Sequence, residues 1–167
     1  MSAFPINFVA PSALPKNGKV ILNGDSALLL KHKKTLESFE RNAQWISKNE
    51  KEGVWIDHVV GEKESVSLAL HEGEKSMHVK LPFIGTHNSE NILLAVQAAK
   101  EIGMNLGEIA EALKTLPKEI SPVRIRKGVD GLNIADSSYS ANPNGVIADL
   151  EYLKTWKGKK AIVMPCL

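Results

Sequence analysis

An α/β fold in two unequal parts is predicted by three features of this 167-residue chain. Short apolar runs, KVILN at 19–23 and KKAIVMP at 159–165, suit buried strands, the first in a mainly parallel sheet and the second at the opening of a further α/β unit. The stretch 53–81 switches to polar–apolar alternation, the mark of a small antiparallel meander. Other segments space their apolar residues as helices do and open on capping residues. PKEISP at 117–122 reads as a linker, which divides the chain into domains at 1–119 and 120–167.

Twenty-one basic residues are interleaved with 19 acidic ones for a net charge of +2, and 43% of the residues are hydrophobic. That is the balance of an ordinary globular protein, with no basic block or aromatic–basic stripe to predict a nucleic-acid partner. The single cysteine, Cys166, excludes an internal disulfide and a cysteine-rich zinc site, and it fits a reducing compartment. No basic segment followed by a long apolar run opens the sequence, and no apolar stretch reaches the ~18 residues that span a bilayer. A cytoplasmic monomer with no membrane partner is the expectation.

Residues 1–17, with Pro5, Pro11 and Pro15, read as an irregular lead-in. The strand at 19–23 ends in Asn23-Gly24-Asp25, a turn. Ser26 to Lys34 reads as one helix with Leu28, Leu29 and Leu30 on its apolar side and KHKK at 31–34 as a solvated end. Asn17-Gly18-Lys19 looks like a scrap of a phosphate loop, but Val20 stands where such a loop needs Ser or Thr. Residues 35–50 carry no clear period. His58, His71 and His78 fall on the three predicted strands of the meander; a metal site would need them to converge, and exposed strand histidines are the simpler reading.

The stretch 81–103 sets a polar knot, His87-Asn88-Ser89-Glu90-Asn91, at the mouth of a helix whose core face is Ile92, Ala95, Val96, Ala99 and Ile102. Asn88 suits the N-cap, Glu90 complements the helix dipole, and Gly103 suits the left-handed C-terminal position. Two readings stand: a capped helix with a buried, hydrogen-bonded histidine, or a nucleotide site made of two amides, an imidazole and unpaired backbone N–H groups. Asn105 and Glu108 then form a capping box ahead of Ile109, Ala112, Leu113 and Leu116, and Pro117 ends that helix. VRIRKG and GLNIAD make a hairpin turning at Asp130-Gly131. Asn142 as cap and Pro143 as first residue start a last helix, with Val146, Ile147, Leu150, Leu153 and Trp156 inward. A buried strand over 161–164 with no α/β unit after it makes the end look cut. Open edges at 19–23 and 161–164 predict marginal solubility.

Three pieces together resemble the Mur ligases, ATP-dependent enzymes that build the peptidoglycan peptide. They are GTHNSENILLAVQAAKEIG at 85–103, VRIRKG at 123–128 and DSSYSANPNGV at 136–146. Their order, after an Asn-Gly-Asp strand end at 23–25, is the family's order. The last piece is most similar to the D-alanyl-D-alanine-adding branch, whose motif runs Asp-Asp-Ser-Tyr-Asn-Ala-Asn-Pro. His-Asn-x-x-Asn alone is a weak pattern; joined to Tyr-x-Ala-Asn-Pro about fifty residues on, it is specific. The resemblance runs over 14–167. It implies the second half of a central ATPase domain over 1–119, and the first hairpin, helix and strand of a Rossmann-like C-terminal domain over 120–167.

The resemblance implies ATP, and Mg2+ in the complete enzyme. His87, Asn88 and Asn91 would form part of the nucleotide pocket, since an amide both donates to and accepts from the adenine edge. Arg124 would meet the phosphates as a planar, always-charged donor, with Arg126 its competitor. The family's ribose-binding acid falls on Ser137, so either Asp136 takes over or Ser137 makes a weaker contact. Tyr139 and Asn142 would line the interdomain cleft, or else serve as hinge packing and helix cap. No catalytic or metal-binding residue is expected here, because the family's phosphate loop, metal ligands and modified lysine precede the matched region.

The implied reaction phosphorylates the carboxylate of a UDP-muramoyl peptide; the amino group of D-Ala-D-Ala or of an amino acid then displaces phosphate to form an amide. A ligase fragment, inactive alone, is the expectation. The alternatives are a fragment of a folylpolyglutamate or cyanophycin synthetase, which share the architecture, and a non-catalytic nucleotide-binding or interaction module.

Overall fold

The computed structural model describes residues 18–39, 42–117, 123–138 and 143–164. Strand β1, Val20–Asn23, pairs in parallel with β2, Ala43–Ile46, setting Val20 opposite Ala43 and Asn23 opposite Ile46. Between them lie two short helices, Ala27–Lys31 and Lys33–Phe39, where the sequence predicted one. The Ser26 hydroxyl caps the first, and the chain breaks at His32. The basic cluster is solvated as expected, but Leu28 and Leu30 are exposed too, so the predicted apolar side is only partly covered. β2 lies in the stretch whose period was unreadable: AQWI becomes a strand through its pairing with β1.

The meander is as predicted. β3 (Val54–Gly61), β4 (Val66–Glu72) and β5 (Lys75–Leu81) pair antiparallel in that order. A bulge between Asp57 and Val60 puts His58 at φ 48°, in the left-handed region. Alternation sends Val54, Ile56, Leu68, Leu70, Val79 and Leu81 to one face. That face packs on two helices, Ser89–Glu101 through Ile92, Leu93 and Val96, and Leu106–Lys114 through Leu106, Ile109 and Leu113. Leu93 is therefore core where the sequence placed Ala95 and Ile102, which are exposed, Ile102 at 81%. Ile102 sits after the helix's last turn, where the 3.6-residue period no longer holds. Gly103, at φ 96°, takes the left-handed position, and the Asn105–Glu108 capping box is formed in both directions.

Strands β6 (Arg124–Lys127) and β7 (Asn133–Asp136) make the predicted hairpin, reversing through Asp130 and Gly131 at φ 53° and 75°. The helix Pro143–Lys154 buries Tyr152, not Ile147 or Leu150, which are exposed. Tyr152 joins Ile84 and Val123 in a second small core, with Ile125 and Trp156 against it. Residues 161–164 are not a strand, and Val163 is 97% exposed. A strand exists only by pairing, and among the described residues nothing pairs with this run. The expected one or two parallel strands are β1 and β2, and with the meander and the hairpin the described residues form one parallel pair beside two antiparallel sheets. The linker 118–122 and the cap residue Asn142 lie outside the described residues.

Candidate functional site

The polar knot opens with a forced turn. Gly85 sits at φ 99°, and the His87 ring folds back so close over it that a Cβ at position 85 would lie 2.4 Å from the ring. Only glycine permits this approach. A single 3-10 turn, Thr86–Asn88, then leads into the helix at Ser89. His87 is exposed, which overturns the buried-histidine reading.

Asn88 stands at the N-cap position in helical backbone and makes no side-chain cap. The preceding 3-10 turn already bends the chain, so its amide is spent elsewhere. Asn88 Nδ2 donates to the Ile84 carbonyl at 3.4 Å, and Asn91 Nδ2 donates to Asn88 Oδ1 at 3.5 Å. The two amides of the motif thus form a chain on the surface side of Ile84, with Asn91 exposed.

Behind this turn the ends of the parallel strands carry a polar brace that sequence reasoning saw only in part. Asp25 Oδ1 accepts from Ser47 Oγ at 2.7 Å and Asn49 Nδ2 at 3.1 Å, and Asp25 Oδ2 accepts from the Lys48 N–H at 2.8 Å. Burial pushes the Asp25 carboxyl up, and these donors with the Lys48 charge outweigh it, so it titrates below the usual aspartate range. Glu90, inside the His-Asn-x-x-Asn motif, accepts from Asn23 Nδ2 at 3.1 Å and from Lys48 Nζ at 2.5 Å. The Lys48 bond is the main cause holding Glu90 below its usual range. Asn23 and Asp25 were legible as a turn; Ser47, Lys48 and Asn49 were missed because β2 was. A recognised β2, parallel to β1, would have brought 47–49 to Asn23-Gly24-Asp25 at the carboxyl ends of the strands, where open α/β sheets place ligand sites.

The hairpin supplies the other predicted residues. Arg124 lies opposite Asp136 in the strand register and is exposed. Arg126 Nη2 is 3.5 Å from Asp136 Oδ2, while Asp136 Oδ1 accepts from the Ser138 hydroxyl at 2.7 Å and the Ser138 N–H at 3.2 Å. Those Ser138 bonds, hydroxyl first, lower the Asp136 pKa and keep it an ionised acceptor. Ser137 is half-buried beside it. Tyr139 and Asn142 lie outside the described residues. The hairpin reaches towards the knot through Ile84, which the second core anchors just ahead of Gly85 and His87. Among the described residues no hydrogen bond or ion pair joins His87, Asn88 or Asn91 to Arg124, Arg126 or Asp136.

The three strand histidines do not meet at one centre, although His58 shares Asp57 with His71, its Nε2 3.7 Å from Asp57 Oδ2. His58 and His78 are exposed, whereas His71 stacks on Trp55 at 3.8 Å and puts Nε2 2.9 Å from Asp57 Oδ1. Among the described residues no three His, Cys, Asp or Glu side chains stand close enough to hold a metal, and no helix is long and apolar enough to cross a membrane.

Residues 10–99 match the Mur ligase middle domain. The UDP-N-acetylmuramoyl-tripeptide–D-alanyl-D-alanine ligase of Mycobacterium tuberculosis is 31% identical over 147 residues, 86% of this chain and 28% of that protein. The crystal structure of MurF from Acinetobacter baumannii has a TM-score of 0.71 at 25% identity, over 87% of this chain and 31% of that one. The MurF ligase of Thermotoga maritima, solved in complex with ADP, shares the fold at a TM-score of 0.58 and 21% identity, over 86% of this chain and 32% of that one. This chain thus spans about a third or less of the length of these relatives.

Proposed function

Because the chain belongs to the Mur ligase family, we propose that it carries the adenine-side portion of an ATP site in a ligase that makes peptidoglycan precursors. On this reading residues 1–119 are the latter half of the middle domain and 120–167 open the C-terminal domain. The complete enzyme would use ATP to activate the carboxylate of a UDP-muramoyl peptide and join it to D-Ala-D-Ala; relatives of that name at 31% identity favour the dipeptide over a single amino acid. The chain alone is expected to be inactive.

The observation that carries the reading is the amide chain from Ile84 through Asn88 to Asn91, set at the N-cap and first turn of a helix. Two carboxamides one turn apart offer the donor–acceptor pattern that an adenine edge presents. The exposed His87 ring, folded over Gly85, is the aromatic surface of the same turn. The hairpin supports a division of labour: Arg126 pairs with Asp136 at 3.5 Å, which leaves Arg124 as the guanidinium for phosphate. Asp136, ionised and half-buried, suits the ribose hydroxyls better than Ser137 does. Tyr139 and Asn142 keep their proposed place at the cleft. The described residues offer no magnesium ligand set, so no step through that ion is assigned to them.

Calorimetry of ATP binding, with magnesium, on the chain and on an Asn91→Ala, Arg124→Ala double variant tests this. Binding that the double variant abolishes is the expected result. Binding that survives both substitutions would sink the assignment of these residues.

A further inference from the structure

Glu90 stands out because the nucleotide reading gives it no role, yet its side chain joins the knot to the ends of both parallel strands. One oxygen takes Lys48 from the end of β2, and the other takes Asn23 from the end of β1. Lys48 is itself fixed, because its N–H and its neighbours Ser47 and Asn49 all bond Asp25. Gln97, two turns further along the same helix face, donates to Gln44 of β2 at 3.2 Å, so the helix is held to that strand at a second level. Glu90 therefore ties both strand ends to the first turn of the helix, between the two asparagines.

From this we infer that Glu90, acting with Lys48 and Asn23, is the positioning residue of the Asn88–Asn91 amide pair. It does not touch the nucleotide. It fixes the rotation of the helix's first turn about its axis, and that rotation sets where both carboxamides point. A freely turning first turn would let Asn91 leave Asn88, since their 3.5 Å bond is long and exposed. The inference rests on the proposed nucleotide reading and assigns the residue that pre-organises it.

The test uses the intact chain with Glu90→Ala, Glu90→Gln and Lys48→Met, and two readouts. The first is the side-chain amide signals of Asn88 and Asn91 in nitrogen–proton correlation spectra, with the Trp55 indole as a distant control. The second is ADP affinity. Glu90→Ala should move both asparagine signals, leave Trp55 in place, and weaken ADP by about tenfold, the scale of one charge-assisted bond. Glu90→Gln keeps the Asn23 bond and should recover part of the loss. Lys48→Met combined with Glu90→Ala should cost no more than Glu90→Ala alone, because both break one link.

Asparagine signals that stay put in Glu90→Ala overturn the inference. So do signals that move with ADP affinity unchanged, since the brace would then be merely structural. If the parent chain gives no response to ADP, the nucleotide reading has failed, and the amide signals alone decide whether Glu90 positions the pair.

Discussion

Tyr152 donates its hydroxyl to the backbone carbonyl of Lys63 at 2.7 Å, joining the last helix to the turn between β3 and β4 across 89 residues of sequence. Its ring meets Trp156 edge-on at 6.3 Å, and Lys63 Nζ lies 4.9 Å from the centre of the Trp156 ring. One buried tyrosine thus holds the hairpin–helix part against the meander, on the same small core that anchors Ile84.

Tyr152→Phe keeps the packing and removes the hydroxyl, leaving the Lys63 carbonyl without that donor. The expected cost is about 1 kcal/mol of stability, the typical worth of a neutral hydrogen bond. Denaturant titration followed by tryptophan emission measures it. No change in midpoint would show that the hydroxyl adds nothing to the apolar and cation–π contacts between the two parts.

Gly85→Ala attacks the proposed site through the backbone. The new methyl would have to displace the His87 ring, and it would sit on a residue whose φ of 99° strains any side chain. A loss of about 1–3 kcal/mol is expected, with the His87 and Asn88 signals shifted in NMR spectra. A variant with unchanged His87 signals would show that the ring does not rest on Gly85 in solution.

How much of this was legible depends on how local each cause is. The Asn105–Glu108 capping box spans four residues and was readable from them alone; Asn105→Ala should cost about 1 kcal/mol in thermal unfolding, as N-cap losses do. The meander was legible because alternation is a local pattern with one buried face. β2 was not, because AQWI gains its identity from pairing with β1, 23 positions earlier in the register. Residues 161–164 failed for the converse reason: an apolar run was read as a strand, but no partner among the described residues completes it. In the site, the motif residues could be named, whereas the brace behind them needed Lys48 and Glu90, 42 residues apart, to be brought together by the fold.

The outer face of the meander carries a pH prediction. His71 is the main cause holding the Asp57 carboxyl below its usual range, so Asp57 binds its proton less readily folded than unfolded. Its contribution is complete above the ordinary aspartate value near pH 4, and is lost as pH falls through the lower folded value. Emission from Trp55, stacked on His71, should change below about pH 4 as this contribution is lost. Asp57→Asn should flatten that change. A transition unaltered in Asp57→Asn would assign it to another acid.

The two arginines of the hairpin separate by their partners. Arg126 lies 3.5 Å from Asp136 on an exposed face, a pairing worth little to stability in water. Its charge is nevertheless committed to that carboxylate, whereas Arg124 influences Asp136 only at longer range. If Arg124 meets phosphate, Arg124→Ala should weaken ADP by roughly tenfold and flatten the salt dependence of binding, as loss of a charge-assisted contact does. Arg126→Ala should leave phosphate recognition in place and act through Asp136, whose pKa should rise once the neighbouring charge is gone. Adenosine, which has no phosphate, separates the two routes. Arg124→Ala should leave adenosine binding unchanged, while a disturbed Asp136 would alter adenosine and ADP alike. The reverse pattern would move the phosphate contact to Arg126 and leave Asp136 to Arg124, its neighbour across the strand pair.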